Sequence, residues 1–597
     1  MKPVLRLSTL LLLAGCAVPT RALPPVEVQP EAASGYQHRT GGLLARQAVV
    51  AAHPLAAEAG LQMLRAGGSA LDAAIAAQMV LGLVEPQSSG IGGGAFLLHA
   101  QGSRVQAFDG RETAPVRARP EAFLDTQGRP MAFSEAVLSG QAVGVPGAVR
   151  MLEAAHRQHG RLPWARLLAP AIALADAGYP VSHRLHTLLQ ADPHLRIDPV
   201  ARRFFYTPEG QAWPVGHVLR NPEYAQVLRR IAQDGSRALH EGQVAQAMVE
   251  RAARPPQPGA LSLDDLRQYQ PRERAALCVD HQAAGQAWRL CGFPPPSSGH
   301  IAVAQILGLL RQTQAQGSEQ EAGLPSADWL HRFSEASRLA MADRAQYVAD
   351  PDFVAPPGGD WQSLVAPDYL RERSRLIGPR ALQEVMPGRP GAQRSAFAPM
   401  PAQPEFGTSH ISVIDAQGRA VALTSSIESA FGGRRMVTTD ASRPGGFLLN
   451  NQLTDFSLTP ADALGRPVAN RLEPGKRPRS SMSPTLVMDA ASGQPVMSLG
   501  SAGGAYIIAY TAKALWATLH WGLPAREALD LPNLGQLGTG LRLEAGRFPA
   551  AILEALRSRG TEASFLPLTS GTQLLQRSPA GWTGAADPRR EGQVLGD

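Results

Sequence analysis

The stretch GTSHISVIDAQGRAVALTSS, residues 407–426 of a 597-residue chain, carries two hydroxyl side chains at a spacing that permits chemistry. Its AQGR segment reads as a tight turn centred near Gln417, so Thr408 and Ser426, each nine residues from that centre, should face one another on paired strands. A Thr at a strand start is ordinarily structural. It becomes a nucleophile carrying its own base if the Gly407–Thr408 bond is cut. The freed α-amine has a reference pKa of about 7.7–8.0, so enough stays neutral near physiological pH to take the hydroxyl proton. Ser426 would then orient the hydroxyl, and Gly407 contributes only backbone freedom.

Other candidate chemistry is weaker. Ser409 and His410 are strand neighbours and point to opposite faces, so they make no dyad. The chain has no Gly-x-Ser-x-Gly elbow, His-Glu-x-x-His or P-loop pattern. GIGGGA at residues 90–95 reads as a packed glycine turn rather than a dinucleotide loop, and His183, His186 and His194 as scattered surface residues rather than metal ligands.

The elements that must position Thr408 follow from pattern. HPLAAEAGLQMLRAGGSALDAAIAAQMVLGLVEP gives two Ala-rich helices broken at Gly67-Gly68, and SSGIGGGAFLLHA with RVQAFDGRETAP gives a glycine-rich turn beside apolar strands. Residues 140–350 are largely helical in pattern. Residues 386–406, rich in Pro, Gly and Ala without periodicity, are expected to be a mobile tether. Beyond it come short strands and one clear helix in AYIIAYTAKALWATLHWG. These strands are too apolar to stand as a sheet wet on both faces, so they should complete a sheet-on-sheet core with helices outside.

Composition, 44% hydrophobic and 18% charged, describes a globular chain long enough for a large core. The net charge of +7 reflects 57 Lys+Arg against 50 Asp+Glu with no basic run or basic-aromatic stripe, so no nucleic-acid partner is expected. A short cationic start and the apolar LSTLLLLAG form an export signal ending at Cys16. LAGC has the form of a lipobox whose Cys is lipidated, which predicts an exported protein of the periplasm or cell envelope, anchored by acyl chains at the outer membrane; a cleaved signal with an incidental Cys is the alternative. Residues 17–47 read as a Pro-rich leader. Export places Cys278 and Cys291, which flank a short hairpin, where they either form a disulfide or remain two buried thiols.

Read together, AGGSALDAAIA, EPQSSGIGGGAFLL, FDGRETAP, PPPSSGH, GTSHISVID, LLNNQLTDFS, GKRPRSSMSPT and GSAGG resemble, in order and spacing, the γ-glutamyltranspeptidase family of N-terminal-nucleophile hydrolases. The resemblance runs from about Ala51 nearly to the C-terminus. It implies a four-layer αββα fold and a precursor that cuts itself between Gly407 and Thr408, giving a large subunit, residues 48–407, and a small one, residues 408–597, that stay together as a heterodimer. By the same resemblance Arg111, Ser480 and Ser481 bind the substrate α-carboxylate. Asp455, helped by Gln452 and Glu428, binds the α-ammonium, and Gly503 and Gly504 serve the oxyanion. For Arg111 a structural ion pair with Asp109 or Glu112 is the competing assignment. The implied reaction passes a γ-glutamyl group, from glutathione or a related compound, through an ester on Thr408 to water, an amino acid or a dipeptide, with no metal or organic cofactor.

One departure stands out. Between NNQ and KRP, where relatives carry a lid, residues 457–475 contain no Tyr, so the tyrosine that covers the nucleophile in some relatives has no counterpart. That leaves open substrate size and the balance of hydrolysis against transfer. Two alternatives remain: a related amidase cleaving glutaryl or other acyl amides, which should lack an ammonium-binding pair, and a non-catalytic surface lipoprotein, which should have lost Thr408 or Arg111.

Overall fold

The computed structural model describes residues 33–37, 42–391, 395–538 and 540–597; the export signal and Cys16 lie outside the described residues. The strands Ser409–Ile414 and Ala420–Ser426 form the hairpin that the sequence predicts. Ser409 pairs with Ser425 and Ile414 with Ala420, a register that continues to Thr408 opposite Ser426. Asp415 closes the turn by accepting from the backbone N–H groups of Gln417 and Arg419, both at 3.0 Å.

This hairpin lies inside a seven-stranded sheet. Ser409–Ile414 pairs on its other side with Ala48–Ala51, and Ala420–Ser426 with Gly94–Gln101; Gln593–Gly596 and the strands Arg104–Gly110 and Arg272–Ala275 complete it. A second seven-stranded sheet runs in the order Leu43–Leu44, Gly581–Ala586, Gln573–Ser578, Pro495–Gly500, Thr485–Asp489, Gln286–Gly292, Leu277–Ala283.

Period-two alternation sends each strand to two cores. Val49, Leu97, Ile411, Val413, Val421 and Leu423 face a helical layer that includes Pro54–Arg65 and Ala70–Val84. Val50, Phe96, Leu98, Ile414, Ala420 and Ala422 face the second sheet, meeting Leu486, Met488, Leu575 and Trp582. The far side of that sheet packs Val487, Met497, Leu499 and Leu574 against the helices Gly299–Gln312, Ala327–Tyr347 and Ile507–Leu519. Helix, sheet, sheet, helix is therefore the layer order. Large aliphatic side chains buried on both faces stabilise the central strands by about 1.5–3 kcal/mol each. The Ala-rich helix Ala70–Val84 begins in a capping box, Ser69 accepting from Asp72 N at 3.2 Å and Asp72 from Ser69 N at 2.8 Å.

Cys278 and Cys291 face each other on Leu277–Ala283 and Gln286–Gly292 and form a disulfide. The expected tether needs correction. Residues 395–406 carry no helix or strand, yet they are docked. Ala398 and Met400 are buried with Val468, Met400 N donates to Ala345 O at 2.9 Å, and Gln403 Nε2 donates to the carbonyls of Thr454 at 2.6 Å and Phe456 at 2.9 Å. Lack of periodicity tells only that such a segment forms no regular element; its side chains still find partners on the body. Among the described residues no helix is long and apolar enough to cross a membrane.

Candidate active site

The uncut chain holds Thr408 fully buried at the strand entry. Ser426 Oγ donates to the Gly407 carbonyl oxygen at 2.7 Å, and the Thr408 hydroxyl donates to the same oxygen. Two hydroxyls therefore converge on the Gly407 carbonyl, the one that precedes the expected cut. Ser426 is held in turn, because its Oγ accepts from Glu428 N at 2.8 Å. A side chain at Gly93 would stand 2.2 Å from the Ser426 carbonyl oxygen, so the GIGGGA turn works as a close backbone seat for this strand end. Ser409 turns the other way, donating to Glu85 Oε2 at 2.9 Å, while His410 points toward the second sheet and meets Thr424 Oγ1 at 2.8 Å. Burial pushes the His410 imidazole down to about 3, so it stays neutral.

Arg111, wholly buried after the strand Arg104–Gly110, donates through Nη2 to Asp455 Oδ2 and to the Arg479 carbonyl at 3.0 Å, and through Nε to the Pro478 carbonyl at 3.1 Å. Glu112 Oε2 lies 3.6 Å from Nη1. Asp109 receives only the backbone N–H of Arg111, at 2.8 Å, and spends its other oxygen on Arg274 at 2.7 Å. Gln452 Nε2 donates to Asp455 Oδ2 at 2.8 Å, and both residues sit in the short helical turn Gln452–Asp455. Burial raises the Asp455 carboxyl above the usual carboxylate range, with the Arg111 guanidinium opposing. Glu428, at a positive φ of 75°, accepts from Phe406 N at 3.0 Å, Ser429 Oγ at 2.6 Å and Asn451 Nδ2 at 2.5 Å; burial, then the nearby Asp455 charge, push its carboxyl up to about 8. Glu112, buried and with neither oxygen hydrogen-bonded, is pushed up to about 8 by burial.

Ser480 and Ser481 follow Arg479 along the same wall. Ser480 Oγ accepts from Met482 N at 3.2 Å; Ser481 Oγ accepts from Arg344 Nη2 at 2.8 Å and donates to Glu405 Oε2. Gly503 and Gly504, at φ of 134° and 55°, open the turn that leads into the helix Ile507–Leu519. A side chain on Gly504 would stand 1.9 Å from the Glu405 carbonyl oxygen. Glu405 and Phe406 thus lie across the site with Arg111, Thr408, Ser426, Gln452, Asp455, Ser480, Ser481 and Gly504 around them, leaving a void of about 10 Å³, room for one water at most.

Thr408, Ser426, Arg111, Gln452, Asp455, Ser480, Ser481 and Gly504 therefore line one cluster with Gly407, Glu428 and Gly503 beside it, whereas Cys278 and Cys291 pair on the second sheet. Four residues at the site carry no sequence assignment: Glu405, in the segment expected to be a tether; Arg344, on a helix legible only by its pattern; Arg479, inside the KRPRSSM motif; and Asn451, in LLNNQLTDFS, which props Glu428. Among the described residues no three or more His, Cys, Asp or Glu side chains are grouped to hold a metal ion.

Comparison with known proteins finds relatives over most of the chain. A family model described as Gamma-glutamyltranspeptidase matches residues 56–597. The chain is 32% identical over 563 residues to a protein of Bacillus subtilis named "Glutathione hydrolase proenzyme", covering 92% of this chain and 91% of that protein. An Escherichia coli protein of the same name is 31% identical over 595 residues, 98% and 97% of the two chains. Among solved structures, a cephalosporin acylase from Bacillus halodurans superposes with a TM-score of 0.78 at 27% identity, covering 94% of this chain and 97% of its own.

Proposed function

The chain belongs to the gamma-glutamyltranspeptidase family, and on that premise we propose that it is a self-cleaving γ-glutamyl hydrolase and transferase in which Thr408 is both nucleophile and base. The observation that carries this reading is the convergence of the Ser426 and Thr408 hydroxyls on the Gly407 carbonyl, beside a buried Arg111–Asp455 pair.

Maturation begins when Thr408 Oγ attacks the Gly407 carbonyl carbon. The hydrogen bond from Ser426 strengthens as negative charge gathers on the carbonyl oxygen. The C–N bond breaks, its nitrogen takes the proton that Oγ gives up and becomes the Thr408 α-amine, and Gly407 is left as an ester on Oγ. Water hydrolyses that ester. The products are the large subunit, residues 48–407, and the small one, residues 408–597, and the segment covering the site is released.

In the mature site the α-amine takes the Oγ proton as Oγ attacks a γ-glutamyl carbonyl. The proton passes to the departing amine as the amide bond breaks, and a γ-glutamyl ester remains. Water, an amino acid or a dipeptide then attacks, returning Oγ its proton. Arg111 with Ser480 and Ser481 takes the α-carboxylate through charge-assisted hydrogen bonds. Asp455, supported by Gln452 and Glu428, takes the α-ammonium, and Gly503 and Gly504 present backbone N–H groups to the oxyanion. Glutathione is a donor of this class. Purified protein given a γ-glutamyl anilide should release the aniline only after the chain has split; a fully split protein that leaves the anilide intact would refute the reading.

A second reading, an amidase for glutaryl-type acyl groups, is favoured by the likeness to the cephalosporin acylase over 94% of the chain. The acidic partner at Asp455 weighs against it, because a glutaryl group brings no cation. For location, we propose export and lipid anchoring through Cys16, tested by whether Cys16→Ser moves the protein from membranes to the soluble fraction; wild-type protein found wholly soluble would reject the anchor.

A further inference from the structure

Glu405, three residues before Thr408, is the only carboxylate that reaches Arg344 or Arg479 within ion-pair distance among the described residues. Its Oε1 lies 2.6 Å from Arg344 Nη2 and 3.9 Å from Arg479 Nη2, and its Oε2 accepts from Ser481. Both arginines are about 95% buried. Arg344 is braced through Nε on Ser298 Oγ at 2.7 Å, and Arg479 through Nη1 on the Arg344 carbonyl at 3.2 Å, while Arg479 Nε has no partner. Burial, then the neighbouring Arg344 charge, bring the Arg479 guanidinium down to about 9; burial alone would raise the Glu405 carboxyl, and the two guanidiniums hold it below the usual range.

A structural ion pair keeps both partners for the life of the protein. This one does not, because its carboxylate sits on the segment that the cut at Gly407 sets free. Two buried guanidiniums that reach the same Glu405 oxygen, at 2.6 and 3.9 Å, would then face the emptied site without that counter-charge, an arrangement that a bound anion relieves. Glu405 also lies on the acyl side of the scissile bond, and a substrate's acyl group must enter from that side once the segment has gone. Ser481 already belongs to the proposed carboxylate clamp. We propose that Arg344 and Arg479 extend that clamp into a carboxylate subsite, which Glu405 fills in the uncut chain and an acyl-side carboxylate of the donor fills after the cut. The inference rests on the γ-glutamyl reading for its substrate but not for its test.

Glutarate, a plain dicarboxylate, is the probe, and melting temperature is the readout, since a ligand that binds only the folded state raises it. Glutarate should raise the melting temperature of the mature two-fragment protein, and the neutral diamide glutaramide should not. It should leave uncut Thr408→Ala unmoved, because Glu405 still occupies the subsite. Mature Arg479→Leu should lose the response, and Arg479→Lys should keep part of it. In turnover, Arg479→Leu should raise KM for a γ-glutamyl anilide roughly tenfold or more. Equal glutarate shifts in mature wild type and Arg479→Leu, or in the cut and uncut forms, would overturn the proposal. If Arg479→Leu fails to fold, mature Arg479→Gln decides in its place, because the cut by itself also uncovers Arg111. A wild type that responds to glutarate but leaves γ-glutamyl anilide intact would defeat the proposed function and leave this subsite standing.

Discussion

Arg111 and Asp455, 344 residues apart in the chain, neutralise each other inside the site through one guanidinium nitrogen on Asp455 Oδ2, with Gln452 sharing that oxygen. An α-amino acid head group carries one charge for each of them. Binding it in the proposed way would exchange one internal pair for two, so neither buried charge would be left alone at any stage. Removing one partner of a buried pair costs about 3–5 kcal/mol, which makes the relationship testable from either side.

The cut comes first. Under denaturing conditions the wild type should separate into two fragments, the smaller starting at Thr408 and 190 residues long, while Thr408→Ala should run as one chain. Ser426→Ala removes a hydrogen bond to the Gly407 oxygen, and the cut should slow by roughly 10²- to 10³-fold. N-terminal sequencing against a time course checks both. An active protein that remains one chain would sink the mechanism.

Arg111→Lys keeps the charge and loses the planar fork. kcat/KM for a γ-glutamyl anilide should fall by roughly 30- to 150-fold, about 2–3 kcal/mol, with the self-cut preserved. Unchanged kinetics would return Arg111 to a purely structural part.

Asp455 separates the two acyl classes. Wild type should prefer a γ-glutamyl anilide to a glutaryl anilide by at least about a hundredfold, because glutaryl leaves a buried carboxylate without its cation. In Asp455→Asn the γ-glutamyl rate should drop steeply while the glutaryl rate holds or rises. Equal wild-type rates on both anilides would favour the amidase.

Glu112 offers a pH test of stability. Its folded-state carboxyl is pushed up to about 8 from an ordinary 4.5 by burial, so between those values the folded state holds a proton that the unfolded state has lost. Its contribution is fully present below about pH 4.5 and drains away as pH rises toward 8, by at most about 1.4 kcal/mol per unit. Glu112→Gln fixes the neutral form. The melting temperature of the variant relative to wild type should therefore climb from pH 5 to pH 8; a difference that is flat with pH would contradict the shift.

What the sequence could tell depended on distance along the chain. Thr408 opposite Ser426 was legible because a tight turn makes strand register a matter of counting, and the layered core because apolar alternation fixes which face is buried. Arg111 with Asp455 had no local signal and came only through resemblance of whole motifs. Glu405 was illegible for a physical reason. Proline, glycine and alanine report how a segment fails to form helix or strand, and say nothing of which buried cations an intervening acid will find. Arg344 and Arg479 were hidden by the same gap, since each looked like one more arginine in a chain that uses almost no lysine.

The sheet order bears on how the cut molecule ages. Ala48–Ala51 lies between Gln593–Gly596 and Ser409–Ile414, and Ala420–Ser426 lies between Ser409–Ile414 and Gly94–Gln101, so segments from either side of the cut interleave in one sheet. Once Gly407 and Thr408 are parted, the molecule is two threads woven through a shared fabric. Uncut Thr408→Ala can refold alone, at a rate indifferent to dilution. The cut protein, once melted, must find its other thread again, so its recovery should slow with dilution and its durability is set by how seldom it opens.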